Sequence, residues 1–133
     1  MQRKMFAGAI FAAFFCFLTS QPVLAHHGAA GYDMEKVVTL KGTITDFEWT
    51  NPHSQIYFDV ADDKGKVAHW VAETEPPAVM LERGWAKRSL KPGDQVTVYC
   101  YVAKNGATTS ILQKIVLPDG KELTARGAAP AGN

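Results

Sequence analysis

The 133-residue chain carries 14 basic and 13 acidic side chains, a formal charge of +1, and this balance excludes the dense positive surface with which nucleic-acid binders track phosphates. A hydrophobic content of 47 % supplies enough apolar surface for a core and excludes a disordered polar chain. With 2 cysteines, a disulfide-dense scaffold is excluded as well.

The amino terminus has the layout of a secretory signal. Arg3 and Lys4 precede an apolar run over residues 6–18, Ser20-Gln21-Pro22 breaks it, and Val23-Leu24-Ala25 offers residues of the size a signal peptidase accepts. The run is shorter than the ~18 to 20 residues that span a bilayer. The expectation is therefore a signal peptide over 1–25, cleavage after Ala25, and no membrane span in the mature chain. Cleavage removes two basic and no acidic residues, leaving a mature charge of −1 and one thiol, Cys100. In the periplasm or outside the cell such a thiol is either buried or paired with another chain.

Residues 26–36 lack an apolar period and read as a flexible lead-in beginning with His26-His27. From residue 38 the period is two: Val38, Leu40, Gly42 and Ile44 share one face. The phase slips before Phe47 and Trp49, which predicts one long, bent strand with a bulge near Thr45-Asp46. Pro52 lacks an N–H and restricts Asn51, so the strand breaks at Trp49-Thr50-Asn51-Pro52-His53.

A second strand follows with Ile56, Phe58 and Val60 on one face, and Asp62-Asp63-Lys64-Gly65 turns it into a third over 66–74. The register that makes one apolar face continuous sets Phe58 opposite Trp70, Ile56 opposite Ala72 and Val60 opposite Ala68. On the other face it sets Asp59 opposite His69, Tyr57 opposite Val71, Gln55 opposite Glu73 and His53 opposite Glu75. Pro76-Pro77 opens a short helix that Gly84 ends. Its Val79 and Met80 are placed to plug one end of a barrel, with Trp85 following.

Lys91-Pro92-Gly93-Asp94 turns into a fourth strand, where Val96, Val98, Cys100 and Val102 alternate with Thr97, Tyr99 and Tyr101. This context favours burial of Cys100. A fifth strand runs over 109–117, and residues 125–133, rich in Gly, Ala and Pro, read as a disordered tail. Three strands, a short helix and two strands make a mainly β domain over 37–124. That is the order of the five-stranded Greek-key OB barrel, whose helix lies between strands three and four. An immunoglobulin-like sandwich needs more strands and no internal helix.

The His26-His27 start, the run over 38–45, the motif Phe47-Glu48-Trp49-Thr50-Asn51-Pro52-His53, Gly84-Trp85 and Leu90-Lys91-Pro92-Gly93-Asp94 together resemble a bacterial domain-of-unknown-function family of small exported proteins. The resemblance implies a periplasmic or secreted location and a small β-barrel. It implies no activity.

Two functional readings follow. In the first, the chain is a non-enzymatic, exported binding module. Its small ligand sits at Trp49, Asn51, His53, Tyr57 and Glu75, because the loop between strands one and two borders the usual OB ligand face. Asn51 and His53 equally suit a purely structural turn. In the second, cleavage frees the α-amine of His26, which with the rings of His26 and His27 forms a copper site, for Cu(II) stands highest in the affinity order for nitrogen donors. His53 completes that site only if the lead-in folds back, since the first strand spans roughly 35 to 40 Å. His69 with Asp59 suits a cross-strand pair, and Tyr57, Tyr99 and Tyr101 are the outward aromatics. No nucleophile and base stand at a recognised spacing, so catalysis is not expected. A monomer without a nucleic-acid partner is expected.

Overall fold

A computed structural model describes residues 28–126. After a 3-10 turn at Ala29–Gly31, the chain forms β1 (Val38–Glu48), β2 (Gln55–Ala61), β3 (Val67–Glu73), α1 (Pro77–Glu82), β4 (Gln95–Val102), β5 (Thr109–Val116) and β6 (Glu122–Thr124). The strands run β3-β2-β1-β4-β5, and a parallel pairing of β3 with β5 closes them into a five-stranded barrel of the OB type. β6 extends the sheet on β5 beyond this closure.

β1 makes the barrel possible by changing partners midway. Residues Val38 to Thr43 pair with β4, and Thr43 to Glu48 pair with β2, with a register shift between Ile44 and Asp46. The slip in apolar phase marks the same place. Gly42 sits at the handover, and a Cβ there would lie 2.7 Å from the Asp59 carbonyl oxygen and 2.9 Å from the Phe58 ring. Only the absence of a side chain lets β2 cross so closely. The Lys-Pro-Gly-Asp turn braces the bend: the Gly93 N–H donates to the Ile44 carbonyl at 2.8 Å, and the Ile44 N–H to the Asp94 carbonyl at 2.9 Å.

The β2–β3 register is the expected one, with Phe58 opposite Trp70 and Asp59 opposite His69. Phe58 is fully buried and its ring stacks on Trp70 at 6.4 Å. Ile44, Ile56, Val98, Cys100, Leu112 and Ile115 fill the interior. Met80 of α1 plugs one end and is fully buried, and Gly84 ends the helix at φ +83°. Trp85 then closes that end, its indole N–H donating to the Thr124 carbonyl at 2.9 Å. Burial pushes the Cys100 thiol above its ordinary range.

Three features differ from the sequence expectation. Tyr101, expected on the outer face with Tyr57 and Tyr99, is buried. It stands opposite Ile111, and both are buried outside the core cluster that holds Cys100 and Leu112, so Tyr101 is covered on its own face of the sheet, and Gln113, the extra residue of β5, donates from Nε2 to its hydroxyl at 3.3 Å. At the carboxyl end, Ala125 is fully buried, and both Ala125 and Arg126 donate their N–H groups to the Gln113 carbonyl, so packing continues past residue 124. The lead-in docks rather than hanging free: Tyr32 bridges to Ala103, the Asp33 N–H donates to the Val102 carbonyl at 2.9 Å, and the Lys104 N–H to the Gly31 carbonyl at 3.0 Å. The signal peptide over 1–25, His26-His27 and residues 127–133 lie outside the described residues.

Gly42→Val is expected to lower the unfolding free energy by about 1–3 kcal/mol through overpacking against β2, measured by denaturant titration. A second expectation concerns acid. Lys91 donates to Asp94 from its ammonium and its backbone N–H, and these bonds outweigh burial to hold the Asp94 carboxyl below its ordinary 3.8. A depressed folded pKa stabilises at pH above the unfolded value and is lost as pH falls through the folded one. Asp94→Asn should therefore flatten the stability profile below about pH 4, read from thermal melts across that range.

Candidate functional site

The loop between β1 and β2 carries an exposed Asn51 and Pro52 on a cis peptide bond and delivers His53 to the start of β2. Regular pairing of β2 with β3 stops at Gln55 and Glu73. Beyond it the register slips: the Thr74 N–H donates to the Ser54 carbonyl at 2.9 Å, while the Ser54 N–H donates to Glu75 instead, at 3.3 Å. The slip frees the Thr74 carbonyl, and the ring of His53 takes it at 3.0 Å. A carbonyl only accepts, so Nδ1 donates its proton there and Nε2 is the ring nitrogen left for another partner.

The same slip corrects the expected partner of His53. Glu73, not Glu75, lies beside it, with Oε1 3.7 Å from Nδ1. Glu75 is drawn aside into an ion pair with Arg126 at 3.3 Å. Trp49 stands apart from this group as well. Its ring meets Phe47 edge-on at 5.7 Å, and Phe47 in turn leans on Trp85 at 6.0 Å, so Trp49 serves the packing at the end of β1.

On the outer face of β2 the Tyr57 hydroxyl lies 3.2 Å from Glu48 Oε2 and 2.9 Å from Gln55 Oε1. Its pKa is raised, first by partial burial and then by the negative charges of Glu48 and Asp46. Tyr57 opens onto a cleft of about 280 Å³ lined also by Tyr32, Gln55, Val71, Glu73, Thr109 and Ser110. Three distant parts of the chain thus converge: the lead-in, the first turns of the β2–β3 face, and the start of β5, brought across by its parallel pairing with Val71 to Glu73. Ser110 is held inward, its hydroxyl donating to the Val71 carbonyl at 3.2 Å.

The structure therefore groups Tyr57 and, through Glu73, His53, and leaves Trp49, Asn51 and Glu75 outside the cleft lining. Tyr32, Thr109 and Ser110 went unread, because nothing local in the sequence announces a parallel barrel closure. A wider groove of about 680 Å³ opens where β1 parts from β2, and includes Lys41, Thr43, Asp59 and Gln95. It lacks aromatic lining and holds none of the loop residues. His69 pairs with Asp59 at 2.6 Å, exposed to solvent, as an ordinary cross-strand pair. Among the described residues no three of His, Cys, Asp and Glu gather closely enough to hold a metal ion, so the metal reading depends on His26 and His27.

A family model matches residues 15–113, which take in the loop, every residue lining the cleft and most of the barrel. The chain belongs to the family of unknown function DUF6152. The DUF6152 match ends within β5, ahead of β6. No curated protein matches the chain.

Because Glu48 and Asp46 oppose its ionisation, Tyr57 should keep its proton above the ordinary value of 10.0. Glu48→Gln should bring its titration down toward that value, as followed on the ring carbon resonances by NMR.

Proposed function

We propose that this DUF6152 protein is an exported, non-enzymatic binding module whose ligand occupies the cleft between Tyr32, Tyr57 and Glu73. One observation carries the reading. The cleft lies on the outer face of β2 and β3, between the β1–β2 and β4–β5 loops, the place where OB barrels take their ligands. Aromatic walls, one carboxylate, one amide and two hydroxyls converge there, the usual make-up of a small-ligand site. The one nucleophile type in the lining is a hydroxyl, and that of Ser110 is bonded to a backbone carbonyl rather than to a base, which supports binding without turnover. The export signal at residues 1–25 supports a periplasmic or secreted location.

The test is an amide NMR titration of the mature chain with a mixture of aromatic, polyhydroxylated and charged fragments. Shifts should concentrate at Tyr32, Gln55, Tyr57, Val71, Glu73 and Thr109, and Tyr57→Ala should abolish them. Shifts confined to the groove around Lys41 and Gln95 would overturn the assignment.

A second reading, copper binding or metallochaperone activity, is favoured by the state of His53. With Nδ1–H given to a backbone carbonyl, the ring has the outer-shell arrangement of a metal-ligating histidine and presents Nε2. The docking of Tyr32 also brings the lead-in back along the barrel, to the cleft that Glu73 shares. The α-amine and ring of His26, with His27 and His53, would hold Cu(II) through nitrogen donors that suit it. Cu(II) titration of correctly processed protein separates the readings: one extra residue before His26, or His53→Ala, should weaken binding about tenfold or more if copper is the ligand. Affinity indifferent to both changes would remove it.

A further inference from the structure

We infer that the ligand of this cleft is an organic cation, an ammonium or guanidinium group carried on carbon, an inference that rests on the binding face proposed above. The one charged group of the lining points there. The Tyr57 hydroxyl has one proton for two acceptors, Glu48 Oε2 and Gln55 Oε1, the Ser110 hydroxyl donates to the Val71 carbonyl, and the His53 ring donates to the Thr74 carbonyl, so none of these three turns its proton to Glu73. The Glu73 carboxylate lines the cleft with the His53 ring no closer than 3.7 Å, beyond hydrogen-bond length. A ligand with donors and no acceptor, which describes ammonium and guanidinium, suits that carboxylate. An anion would meet Glu73 with no lysine or arginine in the lining to offset its charge.

Charge and surface agree. No lysine or arginine belongs to the lining; Arg126 is paired with Glu75, and Lys104 lines a separate pocket that also touches Tyr32. Negative charge stands beside Tyr57, with Glu48 Oε2 3.2 Å from its hydroxyl. Tyr32 and Tyr57 supply ring faces and Val71 an apolar wall, and aromatic rings attract cations whose charge is spread over carbon-bound groups. A cleft of about 280 Å³, open to solvent, has the room for one such head group. The group arrives either on a free amine or as a lysine or arginine side chain of a peptide.

The experiment is an NMR titration of the mature protein with n-butylammonium, n-butylguanidinium, n-butanol and butyrate. Expected are shifts at the Gln55, Tyr57, Glu73 and Thr109 amides with the two cations, at least about fivefold weaker binding of butanol and butyrate, and a loss of affinity on adding salt. Glu73→Gln, a change at a half-exposed strand end, should weaken the cations about fivefold. Should that variant misfold, the salt dependence and the butanol comparison still decide. Adding N-acetyl-lysine amide and a trilysine peptide distinguishes the sources: tighter binding of the peptide identifies a basic side chain, and tighter binding of n-butylammonium a free amine. Butanol binding as well as butylammonium at these amides would overturn the cation and leave the binding face standing. Failure of every probe to move these amides would overturn both.

Discussion

The barrel depends on the bend in β1 at Gly42 to Asp46. The 11 residues of β1 pair with β4 in their first half and with β2 in their second, and closing the sheet into a barrel curls the strand between the two. Here the turn combines a residue without a side chain, a bulge, and two backbone hydrogen bonds from the Gly93-Asp94 turn to Ile44. β2 therefore passes close enough for Phe58 to reach the interior, and the stacked pair of Phe58 with Trp70 follows. The parallel contact of β3 with β5 is the far consequence, because it forms only if β1 curls both halves of the sheet toward each other.

That closure also makes the cleft. Val71 and Glu73 face it from β3, and Thr109 and Ser110 from β5, and these pairs meet only where the barrel shuts. The slip of register after Gln55 and Glu73 adds the rim, because it frees one carbonyl and turns His53 back upon it. Polar groups gather here for a structural reason: where strand pairing ends, backbone groups need new partners, and side chains supply them.

Much of the fold was legible because it is local. Alternation located β2, β3 and β4, the phase slip located the bulge, and the proline pair and Gly84 bracketed α1. What escaped depends on distant contacts. Nothing near Thr109 signals that it will lie beside Val71, and nothing near Glu122 signals a strand, since three residues carry no period. Tyr101 obeys alternation, and it is buried because its outward face is covered, with Ile111 opposite and Gln113 on its hydroxyl, contacts that its own strand does not announce. The exchange of Glu75 for Glu73 beside His53 has the same origin: a register extrapolated by two residues past its last bonded pair fails at the first slip. Of the candidate site, Tyr57 and His53 were readable, whereas Tyr32, arriving from a segment without pattern, was not.

The fastening of the lead-in gives the amino end of this protein an unusual standing. Gly31 and Asp33 are tied to the strand end on either side of Tyr32, so the chain ahead of them starts from a fixed threshold at the doorway of the cleft. Tyr32 thereby becomes a doorpost whose place is set by the end of β4 rather than by any regular pairing of its own segment.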